Sequence, residues 1–256
     1  MSASALSCTA LTISVADREL VHGLDFSLPR GSLTCILGRN GTGKTLTLHT
    51  LAGLREAAAG SIKLLGHRIE TIPRRERARR LGFVPQDTED QFPSNVIETV
   101  MVGRHPHIGF WGWEGEADFA IARAALASVG LAGWDERSVQ TLSGGERRRL
   151  AIAALLTQDP EVLLLDEPTN HLDPHHLLDV MSLLQAKAND GRTVLMSLHD
   201  LALAARYADY VLLLFGNGAW HFGDADSALT SQMISRLYDS PMRELKWEGG
   251  RTFVAE

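Results

Sequence analysis

The 256 residues are 45% apolar, enough for one large buried core or two small ones, which excludes disorder as a description of the whole chain. With 25 basic against 31 acidic side chains the net charge is −6, so there is no global attraction to nucleic acid or anionic lipid and any such contact must be local. Cys8 and Cys35 are the only cysteines and lack metal-like spacing, which argues against a disulfide framework or a cysteine-based zinc site and favours a reducing compartment.

In chain order, Met1–Leu20 shows neither a basic start nor a sustained apolar stretch, so no secretion signal is expected. No segment approaches the ~18 consecutive apolar residues of a membrane span, which leaves docking onto an integral protein open. Leu24, Phe26 and Leu28 alternate with Asp25 and Ser27, and Ser61–Leu65 ends at Gly66; both predict strands of a half-exposed antiparallel sheet at one edge. Continuous apolar runs at Leu33–Leu37, Val162–Leu165, Val194–Leu198 and Val211–Phe215 predict strands buried on both faces of a mainly parallel sheet. Covering helices are expected at Lys44–Leu54, Pro174–Ala188 and Leu201–Tyr207, the second with Leu177, Val180, Met181, Leu184 and Ala188 on one face. The cluster Arg74, Arg75, Arg77, Arg79 and Arg80 reads as a solvated helix face. Between Asp87 and Pro160 no comparable strand run occurs, and Phe119, Ile121, Ala122, Ala125, Leu126 and Val129 follow helical spacing, so this stretch is expected to be a helical insertion into an α/β core.

The strand Leu33–Leu37 runs into Gly38-Arg39-Asn40-Gly41-Thr42-Gly43-Lys44-Thr45, the phosphate-loop pattern in its required strand–loop–helix setting. Its glycines let backbone N–H groups converge on phosphate oxygens, and the following helix adds its positive end. Lys44 is expected to reach the β- and γ-phosphates and Thr45 to ligate Mg²⁺, with the Arg39 side chain exposed to solvent. The run Val162–Leu165 ends in Asp166 and Glu167, which emerge at the carboxyl edge of the sheet beside that loop. Asp166 is placed to hold the Mg²⁺ shell and Glu167 to orient or deprotonate an attacking water.

Leu142-Ser143-Gly144-Gly145-Glu146, shortly ahead of Asp166, resembles the signature that separates ATP-binding-cassette ATPases from other P-loop NTPases. Taken alone, it also reads as a helix start capped by Ser143. The resemblance covers nearly the whole chain and implies a RecA-like P-loop NTPase core (residues 1–86 and 161–219) with an N-terminal antiparallel β-subdomain. It further implies a helical subdomain (87–160) and a C-terminal extension (220–256). It makes Gln86 the Q-loop glutamine, touching Mg²⁺ or the water, Asp173 the D-loop aspartate and His199 the switch histidine at the γ-phosphate. Asp173 before Pro174 is at the same time a good helix N-cap. Two positions depart from the family: Val15 stands where an aromatic residue often stacks on adenine, and Arg148 where Gln is common, which puts base stacking and ribose contacts in question.

In that family each ATP lies between one subunit's phosphate loop and the other's signature, so Ser143, Gly144 and Gly145 are expected to face the nucleotide held by Lys44 of a second copy. One cassette and no span then imply the peripheral ATPase of a bacterial-type transporter, bound to permease subunits at the cytoplasmic face of the inner membrane. A substrate-binding protein would be an indirect partner, and no nucleic acid is expected. The stretch Val100–Gly109, with Gly103-Arg104-His105-Pro106-His107, resembles a segment of importers for iron–siderophore, haem and cobalamin, as does the tail Leu237–Met242. Pro106 fixes the backbone between His105 and His107 and no cysteine or acidic ligand is near, so a metal site is not expected there; Trp111 and Trp113 are expected to pack locally. Phe92, Pro93, Val96, Ile97 and Met101 supply either a permease contact or the subdomain core, with Phe92 and Pro93 the better contact candidates. An ATPase of another importer or exporter, a soluble regulatory cassette protein and a P-loop kinase acting on a metabolite are the competing readings.

Overall fold

Strands that are apolar at every position need cover on both faces, and the computed structural model, which describes residues 4–16, 18–86, 93–109 and 112–256, provides it. The amino-terminal part comprises β1 (Ser4–Val15), β2 (Arg18–Pro29), β3 (Leu33–Leu37), α1 (Lys44–Leu51), β4 (Ala59–Leu64) and β5 (His67–Arg68). Then come α2 (Arg74–Arg80), β6 (Leu81–Val84), α3 (Val96–Met101), α4 (Glu116–Ser128) and α5 (Gly144–Gln158). The second half of the core holds β7 (Val162–Leu165), α6 (Pro174–Asn189), β8 (Thr193–Ser197), α7 (Leu201–Tyr207), β9 (Tyr210–Leu214) and β10 (Trp220–Asp224). The chain closes with α8 (Ala225–Ala228), α9 (Ser231–Tyr238) and the hairpin β11 (Met242–Trp247) and β12 (Gly250–Ala255).

The main sheet has the order β10-β9-β3-β8-β7-β6, parallel throughout except for β10, and a second, antiparallel sheet has the order β2-β1-β4-β5. Because side chains alternate across a sheet, each central strand feeds two cores. Leu33, Cys35 and Leu37 join Leu163 and Leu165 in the core under the helical segments, while Ile36 joins Leu164 and Leu212 in the core shared with the antiparallel sheet and α1. β2 alternates as expected, with Leu24, Phe26 and Leu28 buried. Truncating a fully buried residue such as Leu37 or Leu164 to Ala should cost about 2–5 kcal/mol.

α3, α4 and α5 pack into the subdomain. α3 starts in a capping box: Glu98 N donates to Asn95 Oδ1 and Asn95 N to Glu98 Oε2, both at 2.9 Å. The Gly103–His107 segment clamps these helices, Arg104 Nε donating to Asp118 Oδ1 at 2.8 Å and His107 Nε2 lying 2.9 Å from Gln158 O. α2 carries no buried residue, and its Arg75 and Arg79 donate to Pro106 O.

Several expectations change. Val96, Ile97 and Met101 are buried among α4 and α5, so helical spacing marks them as subdomain core and not as a contact strip; Pro93 is exposed, and Phe92 lies outside the described residues. Ile121 is 38% exposed on the outer side of α4, unlike Ala122 and Leu126. Trp113 is 89% exposed and so does not pack locally, while Trp111 lies outside the described residues. α1 ends at Leu51, short of Leu54. Trp220–Asp224, the start of the tail, hydrogen-bonds to β9 as an edge strand of the main sheet, and Phe253 of the hairpin is buried in the larger core. Among the described residues no helix is long and apolar enough to cross a membrane.

Candidate functional site

Parallel strands present their carboxyl ends along one edge, and β3, β6, β7 and β8 bring the chemistry-bearing segments there. β3 leads into the loop of residues 38–43, and Lys44 opens α1. Gly43 caps that helix at φ 101°, a left-handed conformation that costs a Cβ-bearing residue. Gly38 has no positive φ, but a Cβ there would stand 2.7 Å from Leu214 O, so the loop can lie against β9 only without a side chain. Lys44 is 5% exposed, and its Nζ donates to Gly38 O at 2.9 Å and Arg39 O at 3.4 Å. Burial lowers its pKa from the ordinary value, against the opposing pull of Glu167 and Asp166.

Asp166 is fully buried at the end of β7. Ser197 Oγ, from the end of β8, donates to its Oδ1 at 2.5 Å, while Oδ2 is buried with no hydrogen-bond partner among the described residues. The same Ser197 Oγ accepts from Glu167 N at 2.8 Å. Glu167 takes φ 51°, a strained conformation for a non-glycine residue that turns its side chain toward the phosphate loop. Its carboxylate is gripped at both oxygens: His199 Nε2 lies 2.6 Å from Oε1, and Asn170 Nδ2 donates to Oε2. Asn40, Gly41, Gly43, Lys44, Thr45, Gln86, Glu167, Asn170 and His199 line one open cavity of about 640 Å³, together with Val15, Arg18 and Leu20.

A second cavity of about 480 Å³ lies apart from the first and is lined by Ser143, Gly144, Gly145, His171 and Asp173. Ser143 caps α5, accepting from Glu146 N at 3.3 Å while its own N donates to Glu146 Oε2 at 2.7 Å. Asp173 caps α6, accepting from His175 N and His176 N at 3.0 Å, and the His176 ring lies 2.6 Å from Oδ2; these bonds hold its pKa at about 2. Both residues therefore serve as caps whatever else they touch.

The family profile described as ABC transporter matches residues 21–170, more than half of the chain. The chain belongs to the ABC transporter family. It is 36% identical to the iron(3+)-hydroxamate import ATP-binding protein of Bacillus subtilis, over 92% of this chain and 88% of that one. It is 40% identical to the hemin import ATP-binding protein of Deinococcus radiodurans, over 93% and 91%. The solved structure of a metal-chelate type ABC transporter in an inward-facing conformation superposes with TM-score 0.86 at 28% identity, covering 99% of this chain and 98% of that one. As an ABC ATP-binding subunit the chain is an ATPase whose hydrolysis is coupled to transport.

Residues of the phosphate-loop pattern, Gln86, Glu167 and His199 therefore meet in the first cavity of one copy, with Asp166 buried next to Glu167, while Ser143, Gly144, Gly145 and Asp173 line the second. Arg39 is exposed, its guanidinium 3.6 Å from Asp239 Oδ2, and it enters the loop through its main-chain oxygen. Two contributors are not singled out by the sequence, and a third, Arg148, stands out there only as a departure that puts ribose contacts in question. Ser197 ties the two carboxylate positions together, Asn170 holds Glu167, and Arg148 is buried behind the site. Ser197 lies in the apolar run Val194–Leu198 and Asn170 in the loop ahead of Asp173, so their polar character at a strand end and in a loop was the available signal. Asp166 Oδ2, on a fully buried carboxylate and without a hydrogen-bond partner among the described residues, together with Thr45 and Gln86 of the cavity that Glu167 lines, fits a divalent cation.

Proposed function

We propose that this chain is the ATP-hydrolysing subunit of a bacterial-type importer for an iron–siderophore, haem or cobalamin-type substrate. In this reading it works as a nucleotide-sandwich homodimer, bound peripherally to a permease at the cytoplasmic face of the membrane and served by a substrate-binding protein. The observation that carries the chemistry is the gripped Glu167 carboxylate, which shares a cavity with Lys44. ATP lays its triphosphate along the N–H groups of residues 38–45, and Lys44 Nζ leaves the loop carbonyls for the β- and γ-phosphates. Mg²⁺, held by Asp166, Thr45 and Gln86, would supply charge neutralisation on the phosphate oxygens. Glu167 accepts a proton from the attacking water as oxygen bonds to the γ-phosphorus; the bond to the β–γ bridging oxygen breaks, giving ADP and phosphate. His199, on Glu167 Oε1, stands where it can also contact the γ-phosphate.

Separate signature and phosphate-loop cavities in one copy support the two-copy site, since a symmetric pair places Ser143, Gly144 and Gly145 over the partner's ATP and makes two equal sites. An apolar groove of about 330 Å³ between β6 and α5, lined by Phe83, Pro85, Val102, Pro106 and Ala151, supports the permease contact, because it opens directly beside Gln86 and suits a short apolar-faced helix. The importer class is supported by the two relatives, one named for hydroxamate iron import and one for hemin import.

The test is mutational. Lys44→Ala is expected to lose nucleotide affinity, whereas Glu167→Gln keeps ATP binding and slows turnover by ~10²-fold or more. Hydrolysis by Glu167→Gln at the wild-type rate would sink the assignment. Uptake assays in vesicles carrying the intact complex decide the substrate class, which fails if none of the three compound types is moved.

A further inference from the structure

Arg148 lies in the second turn of α5, which Ser143 caps, yet it faces away from the signature cavity and is 4% exposed. Its guanidinium reaches three main-chain carbonyls: Nη1 donates to Pro85 O at 2.5 Å and Gln86 O at 3.2 Å, and Nη2 donates to Asp166 O. These acceptors belong to the two segments that carry the chemistry, the Q-loop after β6 and the carboxylate pair after β7. A buried cation on carbonyl oxygens makes charge-assisted hydrogen bonds, stronger than neutral ones, and the planar fork fixes direction as well as distance. Glutamine, with one NH₂ group, and lysine, with a single rotating ammonium, cannot hold three carbonyls in that fork geometry.

We propose that Arg148 is a positioning residue that locks the Q-loop and the Asp166–Glu167 strand end to the signature helix. Engagement of the signature by the partner's nucleotide and alignment of the water-facing carboxylate then occur as one event. The two ends of the device are rigidly joined: Ser143 to Glu146 through the capping box, and Arg148 to both catalytic segments through its fork. Gln86 is itself exposed on a loop, and the fork ties its main-chain oxygen to α5. The inference rests on the ATPase reading given above.

The test uses the full chain with Arg148→Lys and Arg148→Gln, each alone and combined with Gln86→Ala. Rates are referred to nucleotide-binding sites counted with a fluorescent ATP analogue, so that a poor yield of folded protein does not obscure the result. Nucleotide affinity is expected to stay within about twofold while kcat falls at least about tenfold, and the loss is expected to shrink at least about threefold in the Gln86→Ala background, where the Q-loop side chain is already gone. Normal kcat per site in both single variants would overturn the proposal, as would a loss carried by affinity alone or one that multiplies unchanged with Gln86→Ala. Absence of ATP hydrolysis by the wild-type chain would instead sink the functional reading, so the two failures are distinguishable.

Discussion

Val15 shows what a single departure from a family pattern implies. It is 45% exposed on the wall of the cavity that holds Lys44, with Arg18, also on that wall, fixed by a 2.8 Å hydrogen bond to Gly216 O. An aliphatic side chain there covers a base without the stacking an aromatic ring supplies, so ATP and GTP should bind with similar affinity. Val15→Tyr should add ~1 kcal/mol, about fivefold in ATP affinity, readable by titration calorimetry. At this scale the placement of the phosphate loop, Asp166 and Glu167 at the sheet's carboxyl edge was legible because a buried strand leads into each, while His199 was singled out through the family resemblance. Arg148 was not. Its three acceptors come from residues far apart in the sequence, and only the folded sheet brings β6 and β7 side by side beneath α5.

The elements divide along the same physical line. Strands apolar at every position, such as Leu33–Leu37 and Val162–Leu165, and helices with clear caps, such as α6 behind Asp173, matched their sequence signals closely. β1 gave no such signal, because its pairing with β2 shifts register repeatedly between Ser4 and Ser14 and the bulges break the alternation a reader would look for. α3 carried a helical stripe whose direction the pattern left open, and the fold turned it inward toward α4 and α5. The cap on α6 gives a pH-dependent prediction. Asp173 has a folded-state pKa depressed to about 2, so its contribution is fully present above the unfolded carboxylate value and is lost as pH falls through the folded one. Asp173→Ala should therefore lower Tm at neutral pH, and the gap to wild type should narrow as pH falls from about 4 toward 2, as thermal unfolding followed by circular dichroism would show.

On the scale of the whole molecule, the geometry of one copy poses the functional question. The cavity holding Lys44 and Glu167 opens on one side, and Ser143, Gly144 and Gly145, the donors expected to cover a bound triphosphate, line a different cavity of the same chain. Folding cannot join the two, whereas a two-fold pairing can, and it also turns ATP into part of the interface. In the proposed reading, the apolar groove between β6 and α5 would seat the membrane partner, and the Arg148 fork would carry its position to the Q-loop segment. The most direct measurement is the mass of Glu167→Gln by light scattering with and without Mg-ATP, alongside the double variant carrying Ser143→Arg. The expected result is a rise from 28.0 kDa to roughly twice that value for Glu167→Gln with nucleotide, and none for the double variant, in which a bulky cation fills the position of the partner's γ-phosphate. Nucleotide-dependent dimers formed equally well by both proteins would contradict it.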